Sequence, residues 1–125
     1  MDAIFSVRPF FAESILDGTK TVELRTVAPR KEIGRCWIYS TAPVQRIVGH
    51  FRPGAVRDAT DAEIAPYIDL IGGRRCYAIE ILEPTELQPP INPREDLGLE
   101  YLWLAPQSFR YCGQKEQAAL RGRAP

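Results

Sequence analysis

The fold is decided by the octet Gly18-Thr19-Lys20-Thr21-Val22-Glu23-Leu24-Arg25. Gly18 is placed to end a helix in the left-handed conformation, and Val22 and Leu24 then alternate with polar residues as they do in a strand. Three charged side chains, those of Lys20, Glu23 and Arg25, therefore meet where the chain turns from helix to strand. An ammonium, a carboxylate and a guanidinium fork together suit a phosphate or a base edge.

The residues around this octet predict a strand, a helix and a second strand. Residues 2–7 are typical of a short strand, and Pro9 opens a helix at its first turn, where its missing N–H costs least. Residues 11, 12, 15 and 16 form one apolar helical face, and the helix is predicted to end at Gly18.

The middle of the chain predicts two adjacent strands and a second helix. Residues 34–40 and 44–52 are rich in β-formers, with a turn at residues 41–43, and Pro53-Gly54 is expected to end the second strand. Thr60 and Glu63 have the spacing of a capping box, which predicts a helix that ends at Gly72-Gly73.

The last third predicts two more strands separated by a loop. Residues 76–82 alternate as a strand, whereas the prolines of residues 84–93 predict a loop. A short helix is expected at residues 93–97, a closing strand at 107–111, and either a frayed end or a short helix at 113–125. The predicted fold is α+β: a small, partly open β-barrel of five to six strands with two to three helices, with one domain at 1–112 and a C-terminal tail at 113–125.

Composition limits the classes of function. The 125 residues suit one domain, no apolar run approaches the roughly 20 residues of a membrane span, and the N-terminus carries no basic leader, so a cytoplasmic location is expected. Cys36, Cys76 and Cys112 form no CxxC pair, and His50 is the single histidine, so we expect neither a disulfide framework nor a metal site, and no cofactor. A nucleophilic relay would depend on His50 alone.

Charge is balanced over the whole chain but segregated along it. Sixteen basic residues face sixteen acidic ones. Residues 18–57 carry eight Lys or Arg against two Glu, whereas residues 58–100 carry three against ten acidic residues. A neutral protein can thus present one positive face, although scattered surface charge explains the same counts.

Gly18, Lys20, Glu23 and Arg25 match the GxKxxExR motif, and the chain resembles the ASCH domain, a branch of the PUA-like superfamily. Residues 39–43 and 47–51 are similar to the family's IY.S.P…IVG.F strand pair, and residues 77–81 and 106–111 to its later strands, so the resemblance covers most of residues 3–111. It implies a β-barrel with a cleft beside the first helix, in which the motif residues face a nucleic acid or a nucleotide-like ligand.

The position of Lys20 depends on that resemblance. Under strict alternation Glu23 and Arg25 share a strand face, which also allows a purely structural ion pair, and Lys20 points the other way. A turn or bulge at residues 18–20 would bring Lys20 beside Glu23, and the resemblance is the reason to expect one.

Other candidates stand at strand ends. Ser40, Thr41, Gln107 and Ser108 carry small polar groups that can read base edges or phosphates, or simply cap turns. Aromatic residues that could stack on a base, or else belong to the core, are Trp37, Tyr39, Tyr101, Trp103, Phe109 and Tyr111. Glu80 must pair with Arg25 or Lys20 if it is buried, and is otherwise a solvated carboxylate.

Three functions remain open from the sequence. The first is a module that binds RNA, single-stranded DNA or a nucleotide-like small molecule through Lys20, Glu23, Arg25, Ser40, Thr41, Gln107 and Ser108. The second is a hydrolase: a ribonuclease in which Lys20 stabilises charge while Glu23 or Tyr39 moves a proton, or an enzyme like the small relatives that act on N4-acylated cytidines. Those relatives have a threonine nucleophile three residues after the motif lysine, where this chain has Glu23, and a carboxylate cannot simply replace a hydroxyl there. The third is a regulatory or protein-interaction domain.

Overall fold

The computed structural model describes all 125 residues as one six-stranded sheet with three helical regions. The strands are β1 (Ala3–Val7), β2 (Val22–Arg25), β3 (Cys36–Ser40), β4 (Arg46–Asp58), β5 (Tyr77–Ile91) and β6 (Phe109–Tyr111), in the order β2-β5-β4-β3-β1-β6. Neighbouring strands are antiparallel except β1 and β3, which are parallel. The sheet curls into a half-barrel, which confirms the predicted α+β fold with a small, partly open barrel.

The helical regions stand where the sequence predicts them. Helix α1 spans Pro9–Leu16, and Gly18 follows it with a φ of 85°, a conformation that glycine adopts without strain. The second region, here called the 61–71 segment, consists of α2 (Asp61–Ile64), a 3₁₀ turn (Ala65–Tyr67) and α3 (Ile68–Ile71). It begins with the predicted capping box at Thr60 and ends at Gly72, whose φ is 62°.

The two central strands are longer than the sequence indicated. Pro53-Gly54 does not end β4, which continues to Asp58, and the predicted loop at residues 84–93 is wrong because β5 runs to Ile91. The predicted helix at 93–97 is also wrong, since a turn closed by hydrogen bonds from the amides of residues 95 and 96 to Asn92 stands there.

Two hydrophobic clusters hold the sheet from its two faces. One cluster gathers Phe5, Ile38 and Phe51 with the apolar side of α1, and the other gathers Trp37 and Trp103 with the C-terminal helix. That helix, α4 (Gln114–Arg123), contributes the fully buried Leu120, so residues 113–125 form the helix rather than the frayed end. No helix is long and apolar enough to cross a bilayer.

Candidate functional site

The loop between α1 and β2 brings Lys20 to Glu23. The amide of Lys20 donates to the carbonyl of Ser14 at 2.9 Å, which fixes the turn after Gly18. Because β2 begins only at Val22, Lys20 is not bound by strand alternation. Its Nζ donates to the Val22 carbonyl at 2.9 Å and lies 3.7 Å from Glu23 Oε1. The turn expected from the family resemblance is therefore present.

Arg25 spans the gap between the two edge strands of the curled sheet. Its Nη1 donates to Ser108 Oγ at 3.0 Å, just before β6, and its Nη2 donates to the Ser6 carbonyl in β1 at 3.0 Å. The guanidinium lies 5.1 Å from the centre of the Phe5 ring. Nη2 also stands 3.9 Å from Glu23 Oε2, too far for a hydrogen bond. Arg25 thus contributes to closing the half-barrel as well as to the local charge.

Glu23 is buried, with 6% of the residue exposed, and its carboxylate accepts no hydrogen bond from the protein. Its Oε2 is shut off from solvent and has no partner. Leaving a buried polar group unpaired costs about 1–3 kcal/mol. The nearby cations Lys20 and Arg25 stabilise the negative charge at a distance, but the directional bond is missing. A ligand that brought an N–H group to this carboxylate would supply it.

An apolar cleft opens over these charges. It has a volume of about 170 Å³ and lies between β2 and the 61–71 segment. The Lys20 ammonium stands 5.5 Å from the ring centre of Phe11 and 5.9 Å from that of Tyr67. A second hollow of about 340 Å³ adjoins the cleft and shares Phe11, Lys20, Leu24 and Tyr67 with it. Aromatic walls beside donors and an acceptor are the surroundings that a nucleobase needs.

The 61–71 segment, which forms the wall of the cleft that carries Tyr67, is held in place at its N-terminal end by a capping box. Thr60 Oγ1 accepts from the Glu63 amide at 3.2 Å, and the Glu63 carboxylate accepts in turn from the Thr60 amide at 2.9 Å. Arg57 makes a two-pronged contact with the same carboxylate, and this lowers the pKa of Glu63 to about 2. The Tyr67 ring then packs edge-on against Phe11, with 5.6 Å between ring centres.

The remaining candidates do not join the cleft, apart from Ser108, which reaches it through Arg25. Ser40 is buried at the end of β3, Thr41 lies in the following turn, and Gln107 is exposed. None of these three lines the cleft. Tyr39 points to the opposite face of the sheet, where its ring packs 5.0 Å from that of Trp103. The structure therefore does not bring Tyr39 to Lys20 and Glu23.

The aromatic residues singled out in the sequence are not the ones in the cleft. Trp37 and Trp103 are core residues, and Phe109 stacks on Phe5 at 5.0 Å. The cleft instead uses Phe11 and Tyr67, and Arg74 and Cys76 also line it.

Other reactive groups show no catalytic arrangement. The His50 ring lies edge-on to Trp37 at 5.1 Å, and burial lowers its pKa. The thiols of Cys36 and Cys112 are buried in the two clusters, and burial raises the pKa of Cys112 to about 12. Glu80 is exposed and accepts from the Ala55 amide at 3.2 Å, which is the solvated alternative. No three His, Cys, Asp or Glu side chains are grouped as metal ligands.

Comparison with known proteins shows which family this chain is related to. The model of the ASCH domain family matches residues 5–90. A curated protein from Zymomonas mobilis subsp. mobilis, named an ASCH domain-containing ribonuclease, is 43% identical over 49 residues, which cover 38% of this chain and 33% of that protein. The match thus spans about a third of the relative's length.

Solved structures show the same architecture. A crystal structure of ASCH from Zymomonas mobilis superposes with a TM-score of 0.77 at 24% identity, covering 97% of this chain and 94% of the other. A tyrosine-to-phenylalanine variant of that protein, ZmASCH, gives a TM-score of 0.80 at 24% identity, with 97% and 96% covered. At this identity the likeness establishes the fold. Because the family model matches more than half of its residues, the chain belongs to the ASCH domain family.

Proposed function

We propose that this protein binds RNA or another single-stranded nucleic acid, or a nucleotide-like ligand, in the cleft between β2 and the 61–71 segment. The observation that carries the proposal is the Glu23 carboxylate, which is buried, lines the cleft and receives no hydrogen bond. An exocyclic amine of a base is a donor that fits such an acceptor. The curated relative named a ribonuclease supports an RNA-related ligand.

Lys20 supplies the complementary donor. Its ammonium uses one hydrogen bond on the Val22 carbonyl and keeps the others for a base acceptor or a phosphate oxygen. Arg25 adds positive charge, although most of its donors are already occupied by Ser6 and Ser108. In this proposal Lys20 and Glu23 contact the ligand directly, and Arg25 holds the frame around them.

Phe11 and Tyr67 provide the stacking surfaces. A base on an aromatic ring gains about 1–3 kcal/mol without regard to sequence. Both rings are half-buried and border the cleft. The proposal also includes a cytoplasmic setting, which is supported by three cysteines that are all free thiols, the usual state in a reducing compartment.

Replacement of Lys20 by alanine tests the proposal. Loss of one charge-assisted hydrogen bond corresponds to about tenfold weaker binding. Fluorescence anisotropy with labelled single-stranded RNA and DNA at low salt measures it. Lys115→Ala is the matched control, because Lys115 is exposed on α4 and makes no ion pair, so the variant removes the same charge elsewhere.

Equal affinities of Lys20→Ala and the unmodified protein would refute the role of the cleft. Equal weakening by Lys20→Ala and Lys115→Ala would show that only net charge matters. Arg25→Ala is a poor test, because it also removes the contacts that link the two edge strands.

A hydrolase is the second candidate, and the name of the curated relative favours its ribonuclease form. Lys20 would stabilise charge on the phosphate while Glu23 moves a proton. Tyr39 cannot share that step at the same site, since it lies on the other sheet face. The identity of Glu23 argues against an N4-acylcytidine amidohydrolase, because Glu23 stands where the similar enzymes have a threonine nucleophile and a carboxylate cannot simply replace that hydroxyl. Incubation of the protein with end-labelled RNA and with N4-acetylcytidine tests the two hydrolase hypotheses. If neither substrate is consumed, both the ribonuclease and the amidohydrolase hypotheses are rejected.

A further inference from the structure

A third cavity lies on the face of the sheet opposite to Lys20. It has a volume of about 230 Å³ and forms where the end of β3, the start of β4 and the turn after β5 meet. Its polar lining comes from Tyr39, Gln45, Arg46, Asn92, Arg94 and Glu95. None of these residues lines the cleft described above, so the two sites are separate.

Two arginines in this cavity have no acidic partner. Arg46 donates only to the neighbouring Gln45 carbonyl at 2.9 Å, and Arg94 Nε donates to the Trp103 carbonyl at 3.3 Å. Neither guanidinium belongs to any of the ion pairs of the protein. Six other arginines outside the Lys20 cleft do pair with carboxylates. Both guanidinium groups thus keep free N–H donors at one place.

The neutral groups of the cavity add further donors. Tyr39 is held by its packing on Trp103 and is only 8% exposed, yet its hydroxyl makes no hydrogen bond within the protein. The Asn92 Oδ1 already accepts from the Arg94 amide at 3.1 Å, so its side-chain NH₂ is the group left over. Glu95 is the one carboxylate in the lining.

This donor set selects an anion. Two guanidinium groups, a fixed hydroxyl and an amide NH₂ outnumber a single carboxylate, and arginine presents forked donors that match phosphate oxygens. A neutral ligand would leave both guanidinium groups of the cavity without an acidic partner. We propose that the cavity is a phosphate-binding site, occupied by a phosphate of a nucleic-acid backbone or by a free phosphate or nucleotide. It is independent of the Lys20 cleft.

The test uses inorganic phosphate as the probe, followed by nuclear magnetic resonance at constant ionic strength with chloride as the reference anion. The full chain should show saturable shifts at the Trp103 indole and at arginine side chains. Arg46→Gln or Arg94→Gln should weaken binding about tenfold, as expected when one charge-assisted hydrogen bond is removed. Tyr39→Phe keeps the ring packing and should weaken binding severalfold.

Arg30→Gln is the matched control, because Arg30 is exposed, has no ion pair and lines neither this cavity nor the cleft. Lys20→Ala should leave phosphate binding here unchanged, which separates this proposal from that for the cleft. Absence of saturable binding, or equal weakening by Arg30→Gln, would overturn it. The proposal would also be overturned if Tyr39→Phe, Arg46→Gln and Arg94→Gln all bound phosphate with the affinity of the unmodified protein.

A second arm distinguishes the sources of the phosphate. If the ligand is a nucleic-acid backbone, the Arg46→Gln/Arg94→Gln double variant should reduce the salt dependence of single-stranded RNA binding. The logarithmic slope should fall by about 0.7 for each phosphate that the variant no longer neutralises. If free phosphate or a nucleotide is the ligand, the double variant loses inorganic phosphate binding while the RNA slope stays as it was.

Discussion

Glu23 stands between two cations that approach it without hydrogen-bonding to it. Its place is set by β2, where it pairs in register with Ile79 of β5 and turns inward. The strand pairing fixes this carboxylate at the wall of the cleft, where it has no hydrogen-bond donor. The carboxylate can therefore still accept a hydrogen bond from a ligand. We expect it to favour bases that carry an exocyclic amine over bases that lack one.

Glu23→Gln tests this reading. The amide keeps the shape of the side chain but loses the charge that strengthens an acceptor. Binding of oligo(C) and oligo(A), whose bases carry exocyclic amines, should weaken about tenfold, whereas binding of oligo(U) should change much less. Fluorescence anisotropy measures the ratio. Glu13→Gln on the exposed side of α1 is the control, and an equal loss for all three oligonucleotides would contradict the prediction.

The charged part of the site could be predicted from sequence because it is local. Lys20, Glu23 and Arg25 lie within six residues, and a glycine-dependent turn brings them together. The aromatic wall of the cleft could not be predicted in this way. Tyr67 comes from a segment more than 40 residues downstream, and the sequence around it does not indicate that it packs against Phe11. The position of Tyr39 near the end of a strand also did not predict which face of the sheet its side chain occupies.

At the scale of elements, the prolines of β4 and β5 explain the wrong strand ends. β3 pairs with β4 only as far as Phe51, and β2 pairs with β5 only from Tyr77 to Glu80. Beyond those points each strand has a neighbour on one side and an open edge on the other, where a missing N–H costs no hydrogen bond. Sequence shows that proline disfavours a strand, but it does not show which edge is free.

The 61–71 segment gives a prediction at the same scale. Thr60→Ala removes the side-chain cap of α2, which should lower the free energy of unfolding by about 1 kcal/mol. Because the segment carries Tyr67, ligand affinity should fall as well. Chemical denaturation and anisotropy measure the two effects. Thr85→Ala is the control, since its exposed hydroxyl bonds only the nearby Glu83 carbonyl. An unchanged ligand affinity would show that the wall keeps its place without the cap.

At the scale of the whole molecule, the buried Asp2 joins the two ends of the chain. Arg121 of α4 donates two hydrogen bonds to its carboxylate, at 2.6 and 2.8 Å, and the Trp37 indole donates a third at 3.1 Å. Burial alone would raise the pKa of Asp2, but the hydrogen bonds from Arg121 and Trp37 outweigh it and hold the pKa below its ordinary value of 3.8.

This lowered pKa predicts acid sensitivity. A carboxyl group whose pKa is depressed by folding contributes stability that is complete above its unfolded pKa and is lost as the pH falls through the folded value. The free energy of unfolding should therefore drop as the pH falls below about 3.8. Asp2→Asn should be less stable at pH 7 and should show a shallower decline in acid. Urea denaturation at several pH values measures both, with the exposed Asp69→Asn as control. Parallel pH curves for the protein and Asp2→Asn would refute the role of Asp2.

The arrangement of β1 has a consequence for synthesis on the ribosome. One of its edges pairs with β6, and the carboxylate of its neighbour Asp2 waits for an arginine that is 119 positions later in the chain. The β6-facing edge of β1 and the Asp2 carboxylate therefore lack their partners until residues 109–121 have been synthesised, although β3 is available earlier, and such distant pairings delay folding. Nascent chains that stall before residue 109 should keep an unpaired, aggregation-prone edge on β1. Chaperones rather than native contacts would have to shield that edge.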